Sequence, residues 1–368
     1  MFRPALLLLI AIASIWHAAS AQALSPYSAH SMVHSCCTPF AQKERMFAEA
    51  KAMGAGYIRL DVSLDDIFDV WTGEATEPRW EGVDEVVRLA RRSGLRVLAV
   101  MNGTPAHISS CKERWPDGHG RCAPTDPERF GRYVAAVVAH APDVFRTIEV
   151  WNEPDGAWAF DGTPEQYAAM LRSTYTAVKQ RFPAVTVLIG GAMSARSQGW
   201  YARALAAGAA NSFDVANVHL RGRAVALPQI VRAWRRFFRL RGHRGPLWVT
   251  ELGYPSATPA QTDPGYRGGE LAQARYISAA LPALLRAGAA QVFVTLRDAW
   301  ASEYGSASPF TSEGVLGMDE HQPYATRRKP AFEVVRRLAA GRARGQCAPS
   351  RVWPWSMPCS RSMRAPQT

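Results

Sequence analysis

Eight times between Ser31 and about Ala340, a short apolar, β-branched run is followed by a stretch of helical spacing. The strand-like runs cover 31–34, 57–62, 96–101, 147–151, 185–189, 213–218, 247–250 and 291–295. The helical stretches between and after them cover 41–53, 83–92, 127–140, 164–182, 199–207, 228–240, 270–286 and 330–339, with Thr163 as an N-cap. The runs are apolar on both faces, as parallel strands covered by helices must be. Eight such units are the number that closes a parallel barrel. An open doubly wound sheet is the alternative, but it usually carries a Gly-rich phosphate turn after its first strand, and this chain has none there. The expected class is therefore α/β, a single-domain (β/α)8 TIM barrel over residues 24–340, with an Arg-, Pro- and Ser-rich tail over 341–368.

Ahead of the barrel, Arg3 and the apolar stretch 5–16 lead to Ala19-Ser20-Ala21 and Ala21-Gln22-Ala23. This is the pattern of a cleaved signal peptide over 1–23, with an uncleaved anchor as the alternative, and it predicts a mature chain outside the cytoplasm, secreted or periplasmic, without a stable membrane span. Six cysteines then permit disulfides. Cys111–Cys122 and Cys347–Cys359 bracket short loops and are the expected pairs. Cys36 and Cys37 are adjacent and stay open between a vicinal bridge and two small buried groups. The net charge of +12 makes an acidic glycan or an anionic surface a candidate partner. No nucleic-acid motif accompanies it, and a monomer is expected. The densest basic stretch is 232–241, where Ile230, Val231, Trp234, Phe237 and Phe238 make an apolar stripe, so a helix with a solvated basic face is the reading there.

Barrel enzymes work at the C-terminal ends of their strands. Glu153, in Trp151-Asn-Glu-Pro154, follows the fourth strand, and Glu251, in Trp248-Val-Thr-Glu-Leu-Gly253, follows the seventh. An acid placed directly after buried apolar residues costs desolvation energy, so both positions call for a role. Strands four and seven face each other across a barrel, and two carboxyl groups about 5–5.5 Å apart can cleave an acetal with retention. Trp71, Trp80, Trp115 and Trp158 fall in loops on the same face, where sugar rings can stack on aromatic side chains.

Through the Asn-Glu-Pro turn and the Trp-x-Thr-Glu-x-Gly run, the chain resembles a clan A glycoside hydrolase, the group of cellulase-like family 5 and xylosidase-like family 39. Gly314-Val-Leu-Gly-Met318 with Lys329-Pro-Ala-Phe332 is similar to the closing segment of those enzymes. The resemblance implies Glu153 as acid/base and Glu251 as nucleophile of a retaining β-glycosidase acting on a β-linked glycan without metal or organic cofactor. It implies Asn152 at the sugar 2-hydroxyl and Arg59 holding the nucleophile ionised, with a simple pairing of Arg59 to Asp61 or Glu149 as the lesser reading. Two places depart from the pattern. The sixth strand ends His219-Leu-Arg221 where His followed closely by Tyr is usual, so Tyr254 is the candidate replacement on the nucleophile and His219 a candidate sugar contact. The eighth strand lacks the usual Trp, for which Trp300 is the candidate. An acidic substrate would call for Arg221, Arg223 or Arg297 along the cleft. A non-catalytic carbohydrate-binding barrel and a transglycosylase using the same residues are the rival readings.

Overall fold

The computed structural model describes residues 24–69, 77–257, 268–306, 308–319 and 325–343. The proposed signal segment, Trp71 and the Cys347–Cys359 pair lie outside them. Eight parallel strands run β1 (Tyr27–His34), β2 (Tyr57–Ser63), β3 (Arg96–Asn102), β4 (Thr147–Val150), β5 (Thr186–Ile189), β6 (Ala216–Leu220), β7 (Leu247–Leu252) and β8 (Ala289–Thr295). They pair in the order β5-β4-β3-β2-β1-β8-β7-β6. The remaining seam is drawn shut by bridges Leu188–Val215 and Ala192–Val218, which makes a nearly closed (β/α)8 barrel of one domain. Helices α1 (Phe40–Met53), α2 (Leu64–Phe68), α3 (Glu81–Ser93), α4 (Pro127–His140), α5 (Pro164–Arg181), α6 (Gln198–Ala206), α7 (Leu227–Leu240), α8 (Gly269–Arg286), α9 (Ala301–Tyr304) and α10 (Pro330–Ala343) follow along the chain.

The helices cover the outer faces of the strands, which is why the strands read as continuous apolar runs. Inside the barrel, Tyr57, Leu98, Leu188, Val215, Trp248 and Phe293 form a separate buried apolar cluster. Thr163 caps α5 in a reciprocal box with Gln166, which places the helix start where the sequence puts it. The sixth strand begins three residues later than expected, at Ala216, because Phe213 turns into the core against Phe238. A short antiparallel hairpin, β9 (Leu316–Met318) with β10 (Thr326–Arg328), is an addition that the eightfold rhythm does not contain.

Cys111 and Cys122 have Cα atoms 6.0 Å apart and sulfurs at bonding distance, and the sulfurs of Cys36 and Cys37 also face each other at bonding distance. No helix among the described residues is long and apolar enough to cross a membrane.

Candidate active site

Two irregularities of the backbone place the acids. In a regular strand, consecutive side chains point to opposite faces. The β6–β7 register shifts so that Val218 pairs with Val249 but His219 with Glu251, leaving Thr250 as an extra residue. This bulge lets both Thr250 and Glu251 turn toward the interior. Beyond β4 the chain turns sharply: Trp151 (φ 71°) and Glu153 (φ 45°) both occupy the left-handed region, which L residues adopt only when their surroundings hold them there. The Trp151 indole secures the turn by donating to the Ala159 carbonyl at 3.1 Å.

Glu153 and Glu251 meet in one buried cluster with His219. One ligand-type atom from each of the three lies within 4.8 Å of the other two. His219 Nδ1 stands 2.6 Å from Glu153 Oε1 and 3.5 Å from Glu251 Oε1. Its Nε2 faces the Thr250 hydroxyl at 3.0 Å, and that hydroxyl donates to Asn217 Oδ1 at 2.8 Å. The Thr250 oxygen is thus left to accept from Nε2. With Nε2 donating to Thr250, Nδ1 is left to share a single hydrogen bond with Glu153 Oε1 at 2.6 Å. One proton is therefore held between Glu153 and His219. Burial lowers the basicity of the ring, but the Glu251 charge and the Glu153 bond outweigh it and raise His219 above its usual range. The ring needs Gly191 beside it: a Cβ there would come within 2.1 Å of Nε2.

Arg59 lies at the centre of the barrel mouth and is 1% exposed. It grips Glu149 through Nε at 2.8 Å and Nη2 at 3.0 Å, and donates from Nη1 to Glu251 at 2.9 Å. Of the three partners considered from sequence, Glu149 and Glu251 are thus held by one guanidinium, while Asp61 accepts from Asn102 at 2.8 Å. Arg59 Nη2 also donates to Asn152 Oδ1 at 2.8 Å, which leaves the Asn152 NH2 as a donor for another group. Burial alone would raise the Glu251 carboxyl, yet His219, Arg59 and Arg221 around it hold it well below the usual carboxylate range.

Several residues stand where sequence reasoning did not put them. The partner on Glu251 Oε2 is Arg221 at 3.0 Å, and Arg221 is itself held by Glu313 at 2.8 and 3.1 Å. Tyr254, the expected replacement, instead stacks on Tyr276 with ring centroids 4.3 Å apart. Glu313 was missed because it belongs to the loop after β8 and not to a strand end. Its close approach depends on Gly253, where a Cβ would fall 2.4 Å from the carboxyl carbon. His30 was missed too. As a polar residue inside β1, it accepts from Arg59 at 3.0 Å and is pushed down to about 3 by burial, so it stays neutral.

Arg297 is buried and donates to the carbonyls of Asp298 and Met32, while Arg223 is exposed. Trp300 lies partly exposed, with the Arg297 guanidinium 6.0 Å from its ring. Trp80 is a packing residue stacked on His140 at 4.1 Å, and Trp115 carries Arg121 over its ring at 4.0 Å. Trp158, 58% exposed in the loop behind Glu153, is the most open of these aromatics.

Residues 126–284, which include both acids, match the family model described as a glycosyl hydrolase catalytic core. No curated protein matches the sequence. Among solved structures the chain is similar to a family 39 glycoside hydrolase from Bacteroides cellulosilyticus (16% identity, 86% of this chain and 64% of that one, TM-score 0.61). It is similar also to a family 39 β-xylosidase from Caulobacter crescentus (17%, 87% and 72%, TM-score 0.63). A family 5 enzyme from Streptomyces cattleya, solved with GlcNAc, gives 18%, 88% and 82%, with a TM-score of 0.59. At these identities the likeness to solved structures is one of fold, and the chain spans just under two thirds of the first of them. The catalytic-core match thus lies on a barrel whose fold the chain shares with family 39 and family 5 glycoside hydrolases.

Proposed function

We propose that the protein is an exported, retaining β-glycosidase, with Glu251 as nucleophile and Glu153 as acid/base. The observation that supports this is the approach of one oxygen of each carboxyl group to within 4.8 Å of the other at the C-terminal ends of β4 and β7, which suits a retaining pair better than an inverting one. Glu251 is kept ionised by the cations around it and so suits attack on the anomeric carbon. As the C–O bond breaks, Glu153 gives the leaving oxygen the proton it holds with His219 Nδ1. In the second half, Glu153 takes a proton from water, the water oxygen attacks the anomeric carbon, and Glu251 leaves as a carboxylate. The Asn152 NH2, oriented by Arg59, donates to the sugar 2-hydroxyl. Trp158 offers a stacking face to the sugar on the leaving side.

The charge balance at the bond favours a neutral sugar there. Arg221 is matched by Glu251 and Glu313, Arg59 by Glu149 and Glu251, and Arg297 is buried against backbone carbonyls. A β-linked neutral glycan, such as the β-xyloside that names one structural neighbour, is the substrate class we assign. Export follows from the signal-like segment 1–23, and the oxidising compartment suits a Cys111–Cys122 bridge.

Stereochemistry tests the two roles separately. Turnover of an aryl β-glycoside should fall by several orders of magnitude in Glu251→Gly, and azide should restore it with an inverted α-glycosyl azide as product. In Glu153→Ala, substrates with good leaving groups should still form the covalent intermediate, and azide should release a β-azide. Swapped configurations would reverse the assignment, and undiminished turnover in both variants would remove it.

A further inference from the structure

The basic stretch 232–241 forms more than a solvated helix face. Arg232, Arg235, Arg236 and Arg239 of α7, together with Arg244 of the following turn, line a pocket of about 340 Å³. Its floor is Ala216, Gly245 and Leu247, at the N-terminal ends of β6 and β7, and thus at the opposite end of these strands from His219 and Glu251.

No acidic side chain lines this pocket, and none occurs in α7 itself. Several exposed arginines elsewhere meet a carboxylate, such as Arg91 with Asp143 at 2.8 Å, Arg203 with Glu165 at 3.0 Å and Arg336 with Glu333 at 2.6 Å. Among the described residues, the five pocket arginines have no such partner. Like charges crowded around one concavity repel one another, and an anion entering it relieves that repulsion.

We infer that this pocket is a second, non-catalytic site that holds an acidic polysaccharide, carboxylated or sulfated, while the cleft acts on a neutral sugar elsewhere. The arginines recur on successive turns of α7, roughly 5.4 Å apart along the axis, a spacing comparable to that of sugar units in an extended glycan. Guanidinium groups pair two-pronged with carboxylate and sulfate oxygens. Nucleic acid is less well suited, because Trp234, Phe237 and Phe238 of this helix are buried and offer no face to a base. A membrane is less well suited because, of the large apolar residues of α7, only Leu240 is strongly exposed. The choice of a glycan as occupant rests on the glycosidase reading, but the site can be tested without turnover.

The full chain is run in native gels containing alginate, heparin or neutral dextran, and is titrated separately with a DNA duplex and with phosphatidylglycerol vesicles. Alginate and heparin should retard it, dextran should not, and the retardation should fall with salt. The triple variant Arg232→Ser, Arg236→Ser, Arg239→Ser should bind alginate and heparin at least about tenfold more weakly. A control losing the same charge elsewhere, Arg181→Ser, Arg286→Ser, Arg337→Ser, should change by no more than about twofold. Circular dichroism should show both variants folded. Equal losses in the two variants would assign binding to net charge and overturn the site, as would absence of retardation or tighter binding to DNA or vesicles than to either polysaccharide. Loss of hydrolysis with retained polysaccharide binding would count against the cleft assignment alone.

Discussion

Glu251 lies between two guanidinium groups, each bound to one of its oxygens, and each guanidinium is held from behind by a second carboxylate, Glu149 or Glu313. A phenol in place of Arg221 would donate a hydrogen bond but carry no charge. Arg221 therefore contributes to keeping Glu251 ionised, and its loss should raise the Glu251 pKa. Because Glu251 must be ionised to attack, the acid limb of kcat/KM for Arg221→Gln should move to higher pH, and the plateau should fall by roughly 10²-fold. Arg221→Lys, which keeps the charge but not the fork, should recover most of the limb and less of the plateau. An unmoved limb in Arg221→Gln would mean that Arg221 serves packing only. The two acids are legible from sequence because each directly follows an apolar run at a strand end. His30 is hidden in its strand, and only the barrel's curvature shows that its side chain converges with Glu149 on Arg59.

Among elements, the long loop between β3 and α4 is tied down twice. Cys111 and Cys122 bridge its second half, and Asp69, just beyond α2, accepts from the Ala106 N–H and pairs with His119 at 2.7 Å. If the bridge forms in the exported protein, thiol counting on the native chain should find neither cysteine free. Cys111→Ser with Cys122→Ser should then lower stability by about 3 kcal/mol, the value for closing a loop of this length. Free thiols at both positions would remove the bridge.

Asp65 of α2 opposes the same loop. Its carboxylate is wedged against Gly103 and Gly120, where a Cβ would lie 2.0 and 2.2 Å from its oxygens, and Oδ1 has no hydrogen-bond partner. Burial and the neighbouring Asp69 charge push it up to about 6. A carboxyl raised in the folded state favours folding while it is protonated, so its contribution is greatest below pH 3.8 and is lost as pH rises toward 6. Asp65→Asn should therefore stabilise the protein at pH 7 by about 2–3 kcal/mol and flatten its denaturation midpoint between pH 4 and 6. A lower or unchanged midpoint at pH 7 would show that the charge is accommodated there.

At the scale of the whole molecule, the barrel separates its chemistry by direction. The C-terminal ends of the strands gather acids and matched cations, whereas the N-terminal ends of β6 and β7 carry unmatched arginines. The alternation of period two and period 3.6 determines the eight units by itself, because each strand must bury two faces and each helix one. It also determines the positions of Glu153 and Glu251, since the last residue of an apolar run is the last one inside the barrel. The tertiary structure alone decided what surrounds them. The bulge at Thr250, the left-handed backbone at Glu153 and the reach of Glu313 across Gly253 depend on contacts between segments about 30 or more residues apart. Such contacts leave no local pattern in the chain, because they are set by which side chains the closed barrel brings face to face.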